Sequence, residues 1–218
     1  MINTRRLEKK WIFNPKLKDT LIQNLISSKL HFRPHFQLRS VNSIYFDTFN
    51  LRSAQHNLDG ISDRIKTRIR WYGEDSLIIK EPKLEIKIKN NFLGHKKYYN
   101  FGTLKKIKID NQNLLLVSSK VSKILKKKLS AISLVNYKRL YFISENQKIR
   151  ATLDYDIRYK KLKDNIDNFF IKSNNIVLEL KYHLDMDNFL RKNLNGITRV
   201  SKNSKYLNSL TNFFPNKI

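Results

Sequence analysis

The sequence predicts an α+β fold: a closed antiparallel β-barrel with a charged interior and helices around its outside. At least five segments alternate charged and apolar residues with period two, as strands do when one face meets a core. Apolar residues at helical spacing in 15–30, 112–129 and 202–213 supply covers for the apolar faces. The charged faces are specific mixtures, many cations with a few carboxylates, rather than the mixed polar residues of an ordinary outer face. For any one strand a wet, open sheet explains the pattern as well. A barrel gives every strand an inside and an outside at once, and so accounts for all of them together.

Taken in order, residues 5–13 form a first strand with Arg6, Glu8 and Lys10 on one face. Asn14 and Pro15 then open a helix as N-cap and first helical residue. Its apolar positions Leu17, Leu21, Ile22, Leu25 and Ile26 carry it to about Leu30, before His31 and a turn at Pro34. Residues 40–48 are a second strand, rich in β-branched and aromatic types. A short connection from Leu51 to Gly60 leads to the most telling segment, Asp63 to Tyr72. There Arg64, Lys66, Arg68 and Arg70 share one face, about 7 Å apart along the strand, and Ile65, Thr67, Ile69 and Trp71 share the other. Such a row repels itself unless counter-charge is supplied.

Gly73 to Asp75 turns the chain, and residues 84–89 alternate again, with Glu85, Lys87 and Lys89 opposite Leu84, Ile86 and Ile88. Asn90, Asn91 and Gly94 turn it towards Lys96, Lys97 and Tyr98. The helix at 112–129 ends in Lys126 to Lys128, which suits the negative pole of its dipole and reads as a solvated terminus. Strands at 135–143 and 148–160 make a hairpin over Glu145 to Gln147, with Arg139 on one and Arg150, Thr152, Asp154, Asp156 and Arg158 along one face of the other. A polar connection at 164–175 precedes a strand to His183 with Val177, Glu179, Lys181 and His183 on one face. A helix from Asp185 to Asn193 ends at Asn195-Gly196, and a last one covers 202–213. No internal repeat or dividing linker is visible, so residues 1–218 read as a single domain.

Composition narrows the partners. With 44 Lys+Arg against 18 Asp+Glu, the net charge is +26, which draws polyanions but leaves the fold undetermined. The general abundance of Lys, Ile and Asn accounts for part of that excess. The absence of cysteine excludes disulfides and thiolate metal sites. The first eleven residues are charged from Arg5 onward with no apolar signal region, and no run reaches the roughly 20 apolar residues of a membrane span. The expectation is a soluble cytoplasmic protein, with attachment at the inner face of a membrane open to it through charge alone. No basic–aromatic pattern of a recognised RNA module occurs, so nucleic acid is not expected as a partner.

If the charged faces point inward, the interior is a hydrated, mainly cationic tunnel. Arg forks and Lys point charges suit a chain of phosphates, and the sparse carboxylates suit a divalent metal with oxygen ligands. The five histidines lack metal-ligand spacing; only His183 falls on a charged face. Asp47 reads as a turn or cap acid, and Tyr45 and Trp71 as packing residues.

Eight short motifs, in order, carry a resemblance that composition does not show. They are Arg-Leu-Glu-Lys-Lys-Trp at 6–11, Ser-Ile-Tyr-Phe-Asp-Thr at 43–48, Lys-Thr-Arg-Ile-Arg-Trp-Tyr at 66–72 and Leu-Glu-Ile-Lys at 84–87. Tyr-Lys-Arg at 137–139, Arg-Ala-Thr-Leu-Asp at 150–154, Val-Leu-Glu-Leu-Lys at 177–181 and Ser-Lys-Tyr at 204–206 complete them. Together they resemble the VTC domain, the catalytic domain of the vacuolar transporter chaperone polyphosphate polymerase, in the CYTH-like triphosphate tunnel metalloenzyme superfamily. The resemblance implies that Lys10, Lys66, Arg68, Arg70, Lys87, Arg139 and Arg150 grip the triphosphate and growing polyphosphate. It implies Glu179 as the metal-binding glutamate with Lys181 as its basic neighbour, and Lys202, Ser204 and Lys205 as a phosphate-binding motif on the C-terminal helix. Glu8, Glu85 and Asp154 correspond to further tunnel acids.

The activity so implied is Mn²⁺- or Mg²⁺-dependent transfer of the γ-phosphoryl group of ATP, or another triphosphate, to inorganic phosphate or polyphosphate. The motifs match the catalytic module alone, and a membrane partner for export of the product is compatible with the resemblance. Hydrolysis in the same tunnel is the second reading, and a non-catalytic polyphosphate binder the third.

Overall fold

The computed structural model describes residues 6–90, 93–99, 101, 106–163, 166, 169–194 and 200–214. Its strands are β1 (Arg6–Phe13), β2 (Arg33–Asp47), β3 (Arg64–Tyr72), β4 (Ile78–Ile79), β5 (Lys83–Asn90), β6 (Leu93–Tyr99), β7 (Ile107–Lys108), β8 (Ser130–Ile143), β9 (Ile149–Lys161), β10 (Ile171–Lys172) and β11 (Ile176–His183). The helices are α1 (Lys18–Ser27), α2 (Arg52–Leu58), α3 (Asn111–Leu125), α4 (Asp187–Asn193) and α5 (Lys205–Phe213). The main sheet runs β1–β11–β9–β8–β2–β3–β5–β6 with β10 on β9, and β4 pairs with β7 in a smaller one. Every pairing whose register is described is antiparallel. The class is α+β, as expected.

The chain forms two compact units. The first comprises Met1–Arg39, Tyr137–Ile157 and Ser173–Asn203; the second comprises Ser40–Asn136, Arg158–Lys172 and Ser204–Ile218.

In the first unit Trp11, Leu178 and Leu153 lie abreast on β1, β11 and β9. Leu180 and Ala151 lie abreast one step along. These side chains join Leu21 and Leu25 of α1 in one buried cluster. The Asn14 side chain accepts from the Lys16 N–H at 2.9 Å and caps a single 3₁₀ turn, Pro15–Leu17, from which α1 runs on to Ser27 rather than to the expected Leu30. At the other end of the unit Asp187 ties α4 down, accepting from Lys9 Nζ, Tyr182 Oη and Arg191 Nε at 2.5, 2.6 and 2.8 Å.

In the second unit Ile44, Ile69 and Leu84 are abreast on β2, β3 and β5, and all are fully buried. They pack with Trp71, Phe46 and the buried face of α3, Leu114, Val117 and Val121. Asp110 caps α3 by accepting from the Asn113 N–H at 2.8 Å. The helix stops at Leu125 rather than 129, because Lys126 adopts the left-handed conformation, φ 49°. A seven-residue helix, α2, replaces the expected connection between Leu51 and Gly60. Its amino end is held by Asp47, which accepts from the backbone N–H groups of Thr48, Ser53 and Ala54 at 2.8, 2.9 and 3.0 Å.

Two strands exceed their expected extent. β2 starts at Arg33 and carries Pro34 as its second residue, where a turn was expected; proline, which cannot donate to the ladder, is tolerated near a strand's start. β8 begins at Ser130 rather than 135. β6 pairs with β5 over its whole length, although its sequence lacks an apolar alternation. Asn91, Asn195-Gly196 and most of the 164–168 connection lie outside the described residues. No described helix is long and apolar enough to cross a membrane.

Candidate functional site

The second unit concentrates positive charge on one sheet face. Register places Lys66 of β3 opposite Lys87 of β5, and Lys87 opposite Lys96 of β6, so three lysines lie in one row across three strands. Arg70 faces Lys83, and Arg64 faces Lys89. Like charges directly opposite destabilise a sheet. The one opposite-charge pair in the β3–β5 ladder is Arg68 with Glu85. Arg68 donates to Glu85 Oε2 through Nε at 2.9 Å and Nη2 at 2.5 Å, and through Nη1 to Tyr45 Oη at 3.3 Å. Arg70 Nε donates to Ser43 Oγ at 3.3 Å, and its Nη1 is 3.9 Å from Glu85 Oε1. Burial alone would raise the Glu85 carboxyl; Arg68 and Arg70 outweigh it and hold the group below its ordinary value, with help from Lys96.

The amino end of α5 belongs to the same face. Lys66 Nζ donates to Ser204 Oγ at 3.0 Å, and that oxygen caps the helix by accepting from the Leu207 N–H at 3.4 Å. Lys205 is the first residue of the helix. Tyr206 Oη donates to Asp47 Oδ2 at 2.7 Å, and its ring stacks on Tyr45 at 5.1 Å. Asp47 is therefore the cap acid expected. Trp71 lies in the core, also as expected, but Tyr45 lies on the charged face as a partner of Arg68.

The first unit builds a different cluster, with acids and bases alternating. Glu8 faces Lys181, Lys10 faces Glu179, Glu179 faces Thr152, and Lys181 faces Arg150. Lys10 Nζ lies 2.8 Å from Glu8 Oε1 and 3.3 Å from Glu179 Oε2, while Lys181 Nζ lies 2.6 Å from Glu179 Oε1. Burial pushes the Lys10 ammonium down, but Glu179 and Glu8 together leave it raised. Burial pushes the Glu179 carboxyl up, yet Lys10, Lys181 and Arg139 hold it well below the usual carboxylate range. Arg139 forks onto Asp154, Nε to Oδ1 at 2.5 Å and Nη2 to Oδ2 at 2.7 Å. Its charge is fixed for the same reason: burial opposes it, and Asp154 more than compensates.

Sequence reasoning thus places the basic residues and acids on the charged faces of their strands. Lys10, Arg139, Asp154, Glu179 and Lys181 come together in the first unit; Lys66, Arg68, Arg70, Glu85 and Ser204 do so in the second. Lys87 and Arg150 are on the right faces but exposed. Lys202 is exposed, next to Ser201, whose N–H donates to the Lys10 carbonyl at 2.7 Å. His183 Nδ1 is spent on Asp185 Oδ1 at 2.8 Å. Lys96, Thr152 and Tyr45 are additions from the structure. Lys96 was legible only through the β5–β6 register, which its own polar strand does not advertise.

The donor set can be tested against a divalent cation. Among the described residues no group of three or more His, Asp and Glu side chains is close enough to hold a metal by itself. Glu8 and Glu179 nevertheless converge on a single cation, the Lys10 ammonium. Thr152 Oγ1, across from Glu179, is buried without a hydrogen-bond partner among the described residues. Mg²⁺ sites of one or two carboxylates completed by substrate phosphates have this composition, so the residues fit. Glu85 and Asp154 are instead committed to Arg68 and Arg139.

The family model for the VTC domain matches residues 5–214. Among solved structures, a candidate adenylate cyclase from Bacillus halodurans aligns at 15% identity and TM-score 0.53, over 96% of this chain and 97% of that one. The PH1819 protein of Pyrococcus horikoshii OT3 aligns at 12% identity and TM-score 0.49, over 95% and 99%. The first of these likenesses speaks to the fold alone. The comparison with curated proteins gives no match.

Proposed function

Because the chain belongs to the VTC domain family, we propose that it is a divalent-metal-dependent phosphotransferase that moves the γ-phosphoryl group of ATP onto inorganic phosphate or polyphosphate. The observation that carries this reading is the row Lys66–Lys87–Lys96, flanked by Arg70–Lys83, in a β3–β5 ladder whose one carboxylate is Glu85. A sheet face with that balance favours a polyanion, and a chain of phosphates supplies several negative charges along one ligand.

The acceptor is already anionic, so no general base is required. Catalysis is then positioning and neutralisation of a loose transition state, the protein's usual share in phosphoryl transfer. Arg68 and Arg70 are held by Glu85, Tyr45 and Ser43, and Arg139 by Asp154, so these cations are oriented before substrate arrives. Lys66, Lys87 and Arg150 neutralise phosphate oxygens, while Lys202 and Lys205, beside the amino end of α5, steer the product chain. Glu179, with Glu8, would hold Mn²⁺ or Mg²⁺, which supplies charge neutralisation on the phosphates when bound. Lys10 and Lys181 keep Glu179 ionised for that task.

The test is incubation of the purified protein with ATP and Mn²⁺ or Mg²⁺, with products resolved by chain length. Long polyphosphate supports the proposal. Phosphate released without chain growth identifies a triphosphatase, and an inert protein that retains polyphosphate identifies a binder. Unchanged synthesis by Arg70→Ala and Glu179→Ala would remove these residues from the mechanism.

A further inference from the structure

The first half of β2 is open to water. All seven residues from Arg33 to Arg39 are exposed, and they include Phe36 at 50%. The Phe36 ring lies 4.0 Å from that of His35, centroid to centroid, and meets the Tyr141 ring edge-on at 5.6 Å. The Arg39 guanidinium lies over both, 5.3 Å from the Phe36 ring and 5.6 Å from the Tyr141 ring. Tyr141 in turn carries the guanidinium of Arg139 at 5.9 Å, and Arg139 is the cation clamped by Asp154. A continuous stack of rings and guanidiniums therefore leads from a water-facing phenyl group to a part-buried phosphate-binding candidate, all within the first unit.

A half-exposed phenyl ring with Arg39 over it, and Arg139 on the next ring along, suits a flat, electron-rich ligand joined to an anion. The phosphate end of a nucleotide satisfies the arginines, and its base has a π-face for the ring. Stacking of this kind selects for a base without reading its edge. We infer that Phe36, with Arg39 and Tyr141, is the stacking platform for the base of the donor nucleotide, whose phosphates extend towards Arg139. This rests on the phosphotransferase reading for its donor, but it adds a subsite for the nucleoside half, which phosphate-gripping residues do not provide.

Equilibrium binding separates the two claims. The β,γ-imido analogue of ATP and inorganic tripolyphosphate are titrated into the wild-type protein, Phe36→Ala, Arg39→Ala and Phe36→Trp. Phe36→Ala is expected to weaken the nucleotide analogue about tenfold, the worth of one stacked base, while tripolyphosphate changes less than about twofold. Arg39→Ala should shift the nucleotide in the same direction, and Phe36→Trp should restore or exceed wild-type affinity. Equal weakening of both ligands, or no effect of Phe36→Ala on either, overturns the platform and leaves the ring to another partner. Wild-type protein that binds tripolyphosphate but not the nucleotide analogue overturns it as well. Binding of neither ligand would instead bring down the phosphate reading on which the platform depends, and the platform with it.

Discussion

Lys66 and Lys87 stand directly opposite one another across β3 and β5, with Lys96 next in line on β6. Ammonium groups opposite one another in a cross-strand row repel, and an anion bound among them relieves that repulsion. Tripolyphosphate should therefore raise the melting temperature of the protein, by an amount equivalent to about 2.7 kcal/mol at a hundred times its dissociation constant. Lys87→Gln should shrink that shift, and added salt should weaken it in both proteins. Equal shifts in Lys87→Gln and wild type would place the anion elsewhere.

Arg139 and Asp154 form a bidentate pair in which the aspartate side chain is 1% exposed. Removing one member strands the other. Asp154→Ala should cost about 3–5 kcal/mol in urea denaturation, whereas the joint replacement Arg139→Met, Asp154→Leu should recover most of the loss. If the double variant is as weak as the single one, the pair is not what sets the stability there.

Acid should loosen the fold through Glu179 and Glu85. Their folded-state values are depressed, so the unfolded chain binds protons first as pH falls. The stabilisation is complete above the ordinary carboxylate value, 4.5, and is lost as pH drops from there through the lower folded values. Asp187 behaves alike: burial works against its charge, but hydrogen bonds from Lys9, Tyr182 and Arg191 lower it to about 2 and extend the loss to more acid pH. Urea midpoints collected from pH 2.5 to 6 should fall steadily below about pH 4.5, and less steeply in Glu179→Gln. A slope unchanged by that variant would contradict the assignment.

Tyr206→Phe deletes one of the donors to Asp47, a fully buried carboxylate. A hydrogen bond to a charged group contributes about 1.5–3 kcal/mol, and the loss should appear in stability. It should also appear as faster amide exchange in α5 and weaker tripolyphosphate binding, because the same helix presents Ser204 to Lys66. Leu178→Ala, in the first unit's core, should cost a comparable 2–5 kcal/mol yet leave exchange in α5 untouched.

Much of this was legible in the sequence because period two is a strong signal where charge alternates with Leu and Ile. The faces of β3, β5 and β11 follow from it, as does that of β9 up to Asp154, and so do the positions of Arg68, Glu85, Asp154 and Glu179; beyond Asp154 the alternation in β9 is interrupted at Asp156, whose φ is 50°. The missing elements lacked any such signal. α2 has only seven residues and takes its cap from Asp47, well ahead of the helix itself. β6 is a strand because β5 imposes its register, with Gly94, His95, Lys96 and Lys97 in sequence and no apolar alternation. Pro34 suggested a turn where β2 runs on, and that error hid the aromatic stretch around Phe36. Which base serves which acid was never in the pattern: Tyr45 looks like a core residue until Arg68 is seen donating to it.

The contacts that finish the second unit's charged face span long stretches of chain. Lys66 meets Ser204 across 138 residues, and Asp47 meets Tyr206 across 159. During synthesis the cationic strands emerge first, and their last partners only after residues 204–206 have left the ribosome. A growing chain is thus exposed to ribosomal RNA as a basic, unfinished sheet, and closing such distant contacts is slow. Expression with abundant phosphate, or fusion partners that shield β3 and β5 until α5 docks, should raise the yield of folded protein.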